Sequence, residues 1–150
     1  KPIPTQGFPT DLQAPFTTVM TQAEGNSSVY ETMYNGRLRY VDELKRMGGR
    51  IDVSGSGRMA MVHGPAPLQG TDVCALDIRS GAAMVLAGLA AEGTTRISNV
   101  IYVDRGYQNI EAKLKQLGAV ISRIEESEHL CPVVDCEEPI EWDTIPLHLD

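Results

Sequence analysis

Three short words in this chain hold carboxylates and arginines at spacings that could do chemistry. They are Phe8-Pro9-Thr10-Asp11-Leu12-Gln13, Asp77-Ile78-Arg79-Ser80-Gly81 and Asp104-Arg105-Gly106-Tyr107. A positioned carboxylate can take a proton from a hydroxyl group, and a guanidinium fork suits phosphate and carboxylate oxygens. A fourth word, Tyr30-Glu31-Thr32-Met33-Tyr34, is followed closely by Arg37. Each word also has a purely structural reading. Thr10-x-x-Gln13 has the spacing of a capping box, and Asp11 favours a helix N-terminus. Asp77 and Arg79 read as an exposed pair at a strand end, Arg105 as a turn residue, and Met33 and Tyr34 as strand core.

The elements that must hold these words form a repeat. Ala23-Glu24-Gly25 returns as Ala91-Glu92-Gly93, and Leu44-Lys45-Arg46-Met47-Gly48-Gly49 as Leu114-Lys115-Gln116-Leu117-Gly118-Ala119, 68 to 70 residues later. Arg37 and Arg105 occupy the same place in the two copies. A period of this length marks duplicated structural units.

In the first copy, Phe16, Val19, Met20 and Ala23 fall at i, i+3, i+4 and i+7, an apolar helical face. Pro15 requires that helix to start close behind Asp11, and Gly25 is placed to cap its end. A strand over 27–32, a helix over 38–47 stopped by Gly48-Gly49, and two strands over 50–53 and 58–63 complete the copy. The second copy reads as strand 72–76, helix 80–92, strand 95–100, helix 107–117 and strand 120–124. Its first helix is apolar nearly all round and belongs inside, wrapped by other elements. The fold class is therefore α/β, with repeated βαβαββ units, inner helices and outer sheets. Two units are present, 1–68 and 69–125, and an acidic tail of unassigned structure follows at 126–150.

Charge follows the same division. The net charge is −7, yet the tail carries eight acidic residues and no Lys or Arg, leaving 12 acidic against 13 basic side chains in the body. A body so nearly neutral has no basic face for nucleic acid, though it leaves arginines for an anionic metabolite. No stretch reaches the ~20 apolar residues of a membrane span, and no apolar signal-like segment opens the chain. Three cysteines, Cys74, Cys131 and Cys136, fit a reducing cytoplasm better than a disulfide framework. His129, Cys131, Cys136 and His148 have poor spacing for zinc, so neither a metal nor a cofactor is expected.

The unit pattern and the four words together resemble the enolpyruvyl transferase family, and within it the branch that acts on UDP-N-acetylglucosamine. The words at 8–13 and 30–34 carry most of the specificity. The resemblance implies transfer of the enolpyruvyl group of phosphoenolpyruvate to a sugar 3-hydroxyl, in peptidoglycan synthesis. It makes Asp11 the base at that hydroxyl and Asp77 an aid to proton handling. Thr10 and Met33 (the latter through its backbone) contact the sugar nucleotide, and Tyr34 borders it. Arg79 and Arg105 clamp phosphoenolpyruvate, and Arg37 supports the site from behind.

Other family features have no counterpart here. Neither the mobile loop with its acid cysteine nor the Lys-Asn pair is matched, a third unit is missing, and the tail does not resemble the family's short ending. The expected partners are thus the two small substrates and the remaining part of the enzyme chain. A fragment inactive alone is one reading. A non-catalytic relative that binds a partner through its tail is the other.

Overall fold

The computed structural model describes residues 8–124. A 3-10 turn at Thr10–Leu12 leads into α1 (Gln13–Met20), so Pro15 does sit in the first helical turn. The apolar face expected of this helix is reversed. Its buried residues are Gln13, Ala14, Thr17 and Thr18, whereas Phe16 and Val19 are 44% and 51% exposed. The threonines can go inside because each finds a local acceptor. Thr17 Oγ1 donates to the Gln13 carbonyl at 2.8 Å, and Thr18 Oγ1 to the Ala14 carbonyl at 3.3 Å. Periodicity marks a helix but not which face has a neighbour. The helix also ends at Met20 with Thr21 as its cap, and Gly25 instead opens β1 (Gly25–Tyr30) with φ of 94°.

The chain then turns through a 3-10 segment, Arg37–Arg39, into α2 (Tyr40–Arg46). Gly48, at φ 94°, closes that helix, with the Gly49 N–H returning to the Leu44 carbonyl at 2.8 Å. Strands β2 (Ile51–Val53) and β3 (Met59–Gly64) form a hairpin, and β3 also pairs with β1. The result is an antiparallel sheet of order β1-β3-β2.

In the second copy, β4 (Asp72–Cys74) and β5 (Arg96–Ser98) pair in parallel, with α3 (Ile78–Ala90) as the crossover between them. A short helix, α4 (Ile101–Asp104), was not expected. It follows the predicted strand 95–100, with Val100 as its N-cap, and ends on the first residue of the Asp-Arg-Gly-Tyr word. The last helix, α5 (Ile110–Gln116), begins later than 107 because the chain makes a turn ending in left-handed Asn109.

The strand expected over 120–124 does not form. Val120 and Ile124 are exposed, without the pairing that would make β structure worthwhile for these residues. The acidic tail 126–150 lies outside the described residues, and with it His129, Cys131, Cys136 and His148.

One apolar cluster joins the copies. Leu38, Val41, Leu44 and Met47 of the first copy pack with Val62 and with Val73, Ala83, Met84 and Ala87 of the second. Small residues let the helices approach: Thr18 of α1 lies with Oγ1 3.4 Å from the Ala83 carbonyl of α3. Helix α3 is buried over Ser80–Val85 and at Ala87, but Leu86 and Leu89 are exposed. Its wrapping is thus partial. No helix among the described residues is long and apolar enough to cross a membrane.

Candidate functional site

The starts of α1 and α3 meet beside the turn that precedes α2, and a shallow hollow opens between them. Thr10, Gln13 and Ala14 line one side, Arg37 and Tyr40 another, and Asp77, Arg79 and Ser80 the third. Four of the eight residues nominated from sequence are in this lining.

Asp77 is the N-cap of α3. Its Oδ1 accepts the Arg79 and Ser80 backbone N–H groups at 2.8 and 2.7 Å, and Ser80 Oγ accepts the Asp77 N–H at 2.7 Å. This is a reciprocal capping box, and the Asp-x-x-Ser pattern that announces it was passed over in the sequence. It also replaces the strand-end reading of Asp77 and Arg79. Asp77 Oδ2 takes a 2.7 Å bond from the Arg79 guanidinium, which also lies 3.6 Å from the Asp11 carboxylate. Burial alone would raise the Asp77 carboxyl, but Arg79 and Ser80 hold it below its ordinary value. Burial likewise opposes the charge on Arg79, and Asp77 and Asp11 overcome it, so Arg79 stays protonated.

The capping-box reading of Thr10-x-x-Gln13 fails, because neither side chain caps the helix. Thr10 Oγ1 accepts from the Arg37 guanidinium, and the Gln13 amide donates to Glu31 Oε2 at 2.9 Å. Asp11 is left free of any capping duty, its side chain 79% exposed at the rim. Arg37 lies over the Tyr34 ring, 4.0 Å from its centroid, a cation–π contact. Met33 and Tyr34 are exposed rather than strand core, since β1 ends at Tyr30.

Glu31, inside the word at 30–34, has no role in the sequence reading. It is 2% exposed and accepts the Met33 and Tyr34 backbone N–H groups at 2.7 and 3.0 Å, besides Gln13. Burial alone would raise its carboxyl; those three donors, with Arg37 nearby, lower it instead. Below it, Tyr40 OH and Thr17 Oγ1 are 2.9 Å apart, and burial pushes the tyrosine up to about 12. No local pattern signals a charge that the fold buries and satisfies from non-adjacent elements.

Arg105 stands apart from the lining. It does not precede a helix as expected but caps the C-terminal end of α4, exposed. Its turn is nonetheless held against the start of α3, because Gly106 packs on Ile78 so closely that a Cβ there would collide with the isoleucine. Among the described residues no cluster of three or more His, Cys, Asp or Glu could hold a metal ion.

Comparison with known proteins bears on this arrangement. The family described as EPSP synthase (3-phosphoshikimate 1-carboxyvinyltransferase) matches residues 1–114. The chain is 52% identical over 122 residues to UDP-N-acetylglucosamine 1-carboxyvinyltransferase 2 of Shouchella clausii, covering 81% of this chain and 28% of that protein. To UDP-N-acetylglucosamine 1-carboxyvinyltransferase 1 of Halalkalibacterium halodurans it is 43% identical over 144 residues, 96% of this chain and 32% of the relative. A match of that length extends into the acidic tail. The enolpyruvyl transferase NikO of Streptomyces tendae superposes with a TM-score of 0.69 at 33% identity, covering 76% of this chain and 26% of that one. EPSP synthase from Acinetobacter baumannii, at 20% identity and a TM-score of 0.51, shares the fold. The chain spans about a third or less of the length of these curated relatives.

Proposed function

The chain belongs to the EPSP synthase family of enolpyruvyl transferases, and from that premise we propose that it is part of an enzyme of cell-wall synthesis. The reaction moves the enolpyruvyl group of phosphoenolpyruvate to the 3-hydroxyl of UDP-N-acetylglucosamine and releases phosphate. The single observation that carries this reading is the pairing of exposed Asp11 with protonated Arg79 at the edge of a hollow built from two repeated units.

A base must be free to take the hydroxyl proton, and Asp11 is the carboxylate of the cluster not consumed by a cap. Asp77 holds Arg79 in place and keeps its charge, and through it assists proton handling. Arg79, and Arg105 brought near by the Gly106–Ile78 contact, supply cations for the phosphate and carboxylate of phosphoenolpyruvate. Thr10, the Met33 backbone and Tyr34 border the sugar nucleotide, with Arg37 bracing Thr10 and Tyr34. By resemblance to the family, the acid that protonates the enolpyruvyl methylene carbon is a cysteine of the remaining part of the enzyme chain.

The same remaining part is the partner for the exposed apolar faces of α1 and α3. Phe16, Val19, Leu86 and Leu89 are exposed there in the described chain. We place the protein in the cytoplasm, in keeping with three cysteines that have no disulfide-framework spacing.

The test replaces the matching segment of the Geobacillus kaustophilus relative, 53% identical over 117 residues, with this one. The chimera should release phosphate from the two substrates, and the 150-residue chain alone should not. A chimera that folds and binds both substrates without turnover would contradict the proposal.

A further inference from the structure

Resting on the reading of this hollow as a sugar-nucleotide site, we propose that Glu31 is its positioning residue, a buried carboxylate that shapes the 32–36 loop for the ligand. Burying a carboxylate is costly unless hydrogen bonds satisfy it, and here one direct donor, Gln13, lines the hollow while the other two belong to the loop whose Tyr34 ring lies under the lining residue Arg37. Oε2 receives the amide of Gln13, which lines the hollow, at 2.9 Å, and Oε1 receives the Met33 and Tyr34 N–H groups of the adjoining loop at 2.7 and 3.0 Å. One side chain thereby ties α1 to the loop.

The consequence is local and specific. The Met33 and Tyr34 N–H groups turn inward to the carboxylate instead of continuing the pairing, which makes its last bond from the Glu31 N–H to the Arg58 carbonyl at 2.8 Å. The Met33 and Tyr34 side chains are then turned out to solvent, with Tyr34 beneath the Arg37 guanidinium. Arg58 fixes the outer side of the same loop, donating to the Thr32 carbonyl at 3.3 Å and to Asn35 Oδ1 at 2.5 Å. Gly36, in a left-handed conformation at φ 71°, lets the chain re-enter the helix that carries Arg37. A loop ordered before binding loses less entropy when a ligand arrives.

The experiment compares the 150-residue chain with its Glu31→Ala and Glu31→Gln variants by amide hydrogen exchange and by calorimetric titration with UDP-N-acetylglucosamine. In Glu31→Ala, exchange at the Met33 and Tyr34 amides should rise about tenfold, and affinity should fall about tenfold, while the Leu44 and Val62 amides keep their protection. Glu31→Gln keeps an oxygen at the same reach and should restore most of both. Unchanged protection at Met33 and Tyr34 in the Ala variant would overturn the proposal, as would unchanged affinity once those amides are freed. Should the Ala variant fail to fold, the Gln variant decides, with about a two- to fivefold rise in exchange expected at the two amides and no rise overturning it. If the unaltered chain does not bind the nucleotide, the sugar-nucleotide reading fails, and the exchange data still decide whether Glu31 holds the loop.

Discussion

The Asp11 carboxylate lies 3.6 Å from the Arg79 guanidinium, joining the start of one repeated unit to the start of the next. Arg79 is already held at 2.7 Å by Asp77, so Asp11 is the looser partner and the more exposed. An exposed pair of this kind contributes little to folding. Its worth is in position: a carboxylate whose pairing can be broken by an arriving hydroxyl and an anion.

In the active chimera, Asp11→Ala should therefore lower kcat by about 10²–10⁴-fold while changing substrate affinity far less. Steady-state phosphate release at saturating substrates measures it. Turnover near that of the parent would reduce Asp11 to a residue of the first helical turn.

Acid should loosen the site before neutral pH does. Asp77 and Glu31 both have carboxyls held below their ordinary values in the folded chain. Their contribution is fully present above the unfolded value, about 4 for such groups, and is lost as pH falls through the lowered folded one. Arg79, the cation facing Asp77, is raised further and stays charged throughout this window. Denaturant unfolding followed from pH 6 to pH 2 should show stability falling below about pH 4. Asp77→Asn and Glu31→Gln should each make that fall shallower. Slopes identical to the parent's would contradict the assignment.

How far the residues announced this structure depends on which signal is considered. Pro15, Gly48 and the apolar run of α3 placed helices correctly because each acts through local backbone sterics or a strong burial preference. The Asp11–Arg79 convergence follows the placing of both residues beside helix starts, whereas Arg105, expected at another, stands at the C-terminal end of α4. The face of α1 was not legible, because buried Thr17, Thr18 and Thr21 satisfy themselves on carbonyls of their own helix. Nor was the missing strand at 120–124, where β-favouring side chains have no partner strand in the described chain. Glu31 escaped notice since its three donors come from α1 and from a loop that the carboxylate itself creates.

The exposed Phe16 and Val19 give a further prediction about where the chain ends its own packing. Phe16 contacts Phe8, ring centroids 4.8 Å apart, and is otherwise on an open face. Phe16→Ser should change the stability of the 150-residue chain by no more than about 0.5 kcal/mol, the usual range for surface positions. In the chimera the same change should cost about 2–4 kcal/mol if the remaining part of the chain covers the ring as proposed. Thermal unfolding of the two pairs checks this. Equal effects in both settings would show that the face has no partner in the longer chain.

The account stands or falls on whether the hollow between Thr10, Arg37 and Arg79 receives the sugar nucleotide. Its most direct test is an amide chemical-shift titration of the isotope-labelled chain with UDP-N-acetylglucosamine. Shifts should cluster at 10–13, 33–37 and 77–80 and saturate together, with the outer sheet residues 52, 61 and 63 unmoved. Saturating shifts confined to another face, or none at millimolar ligand, would contradict it.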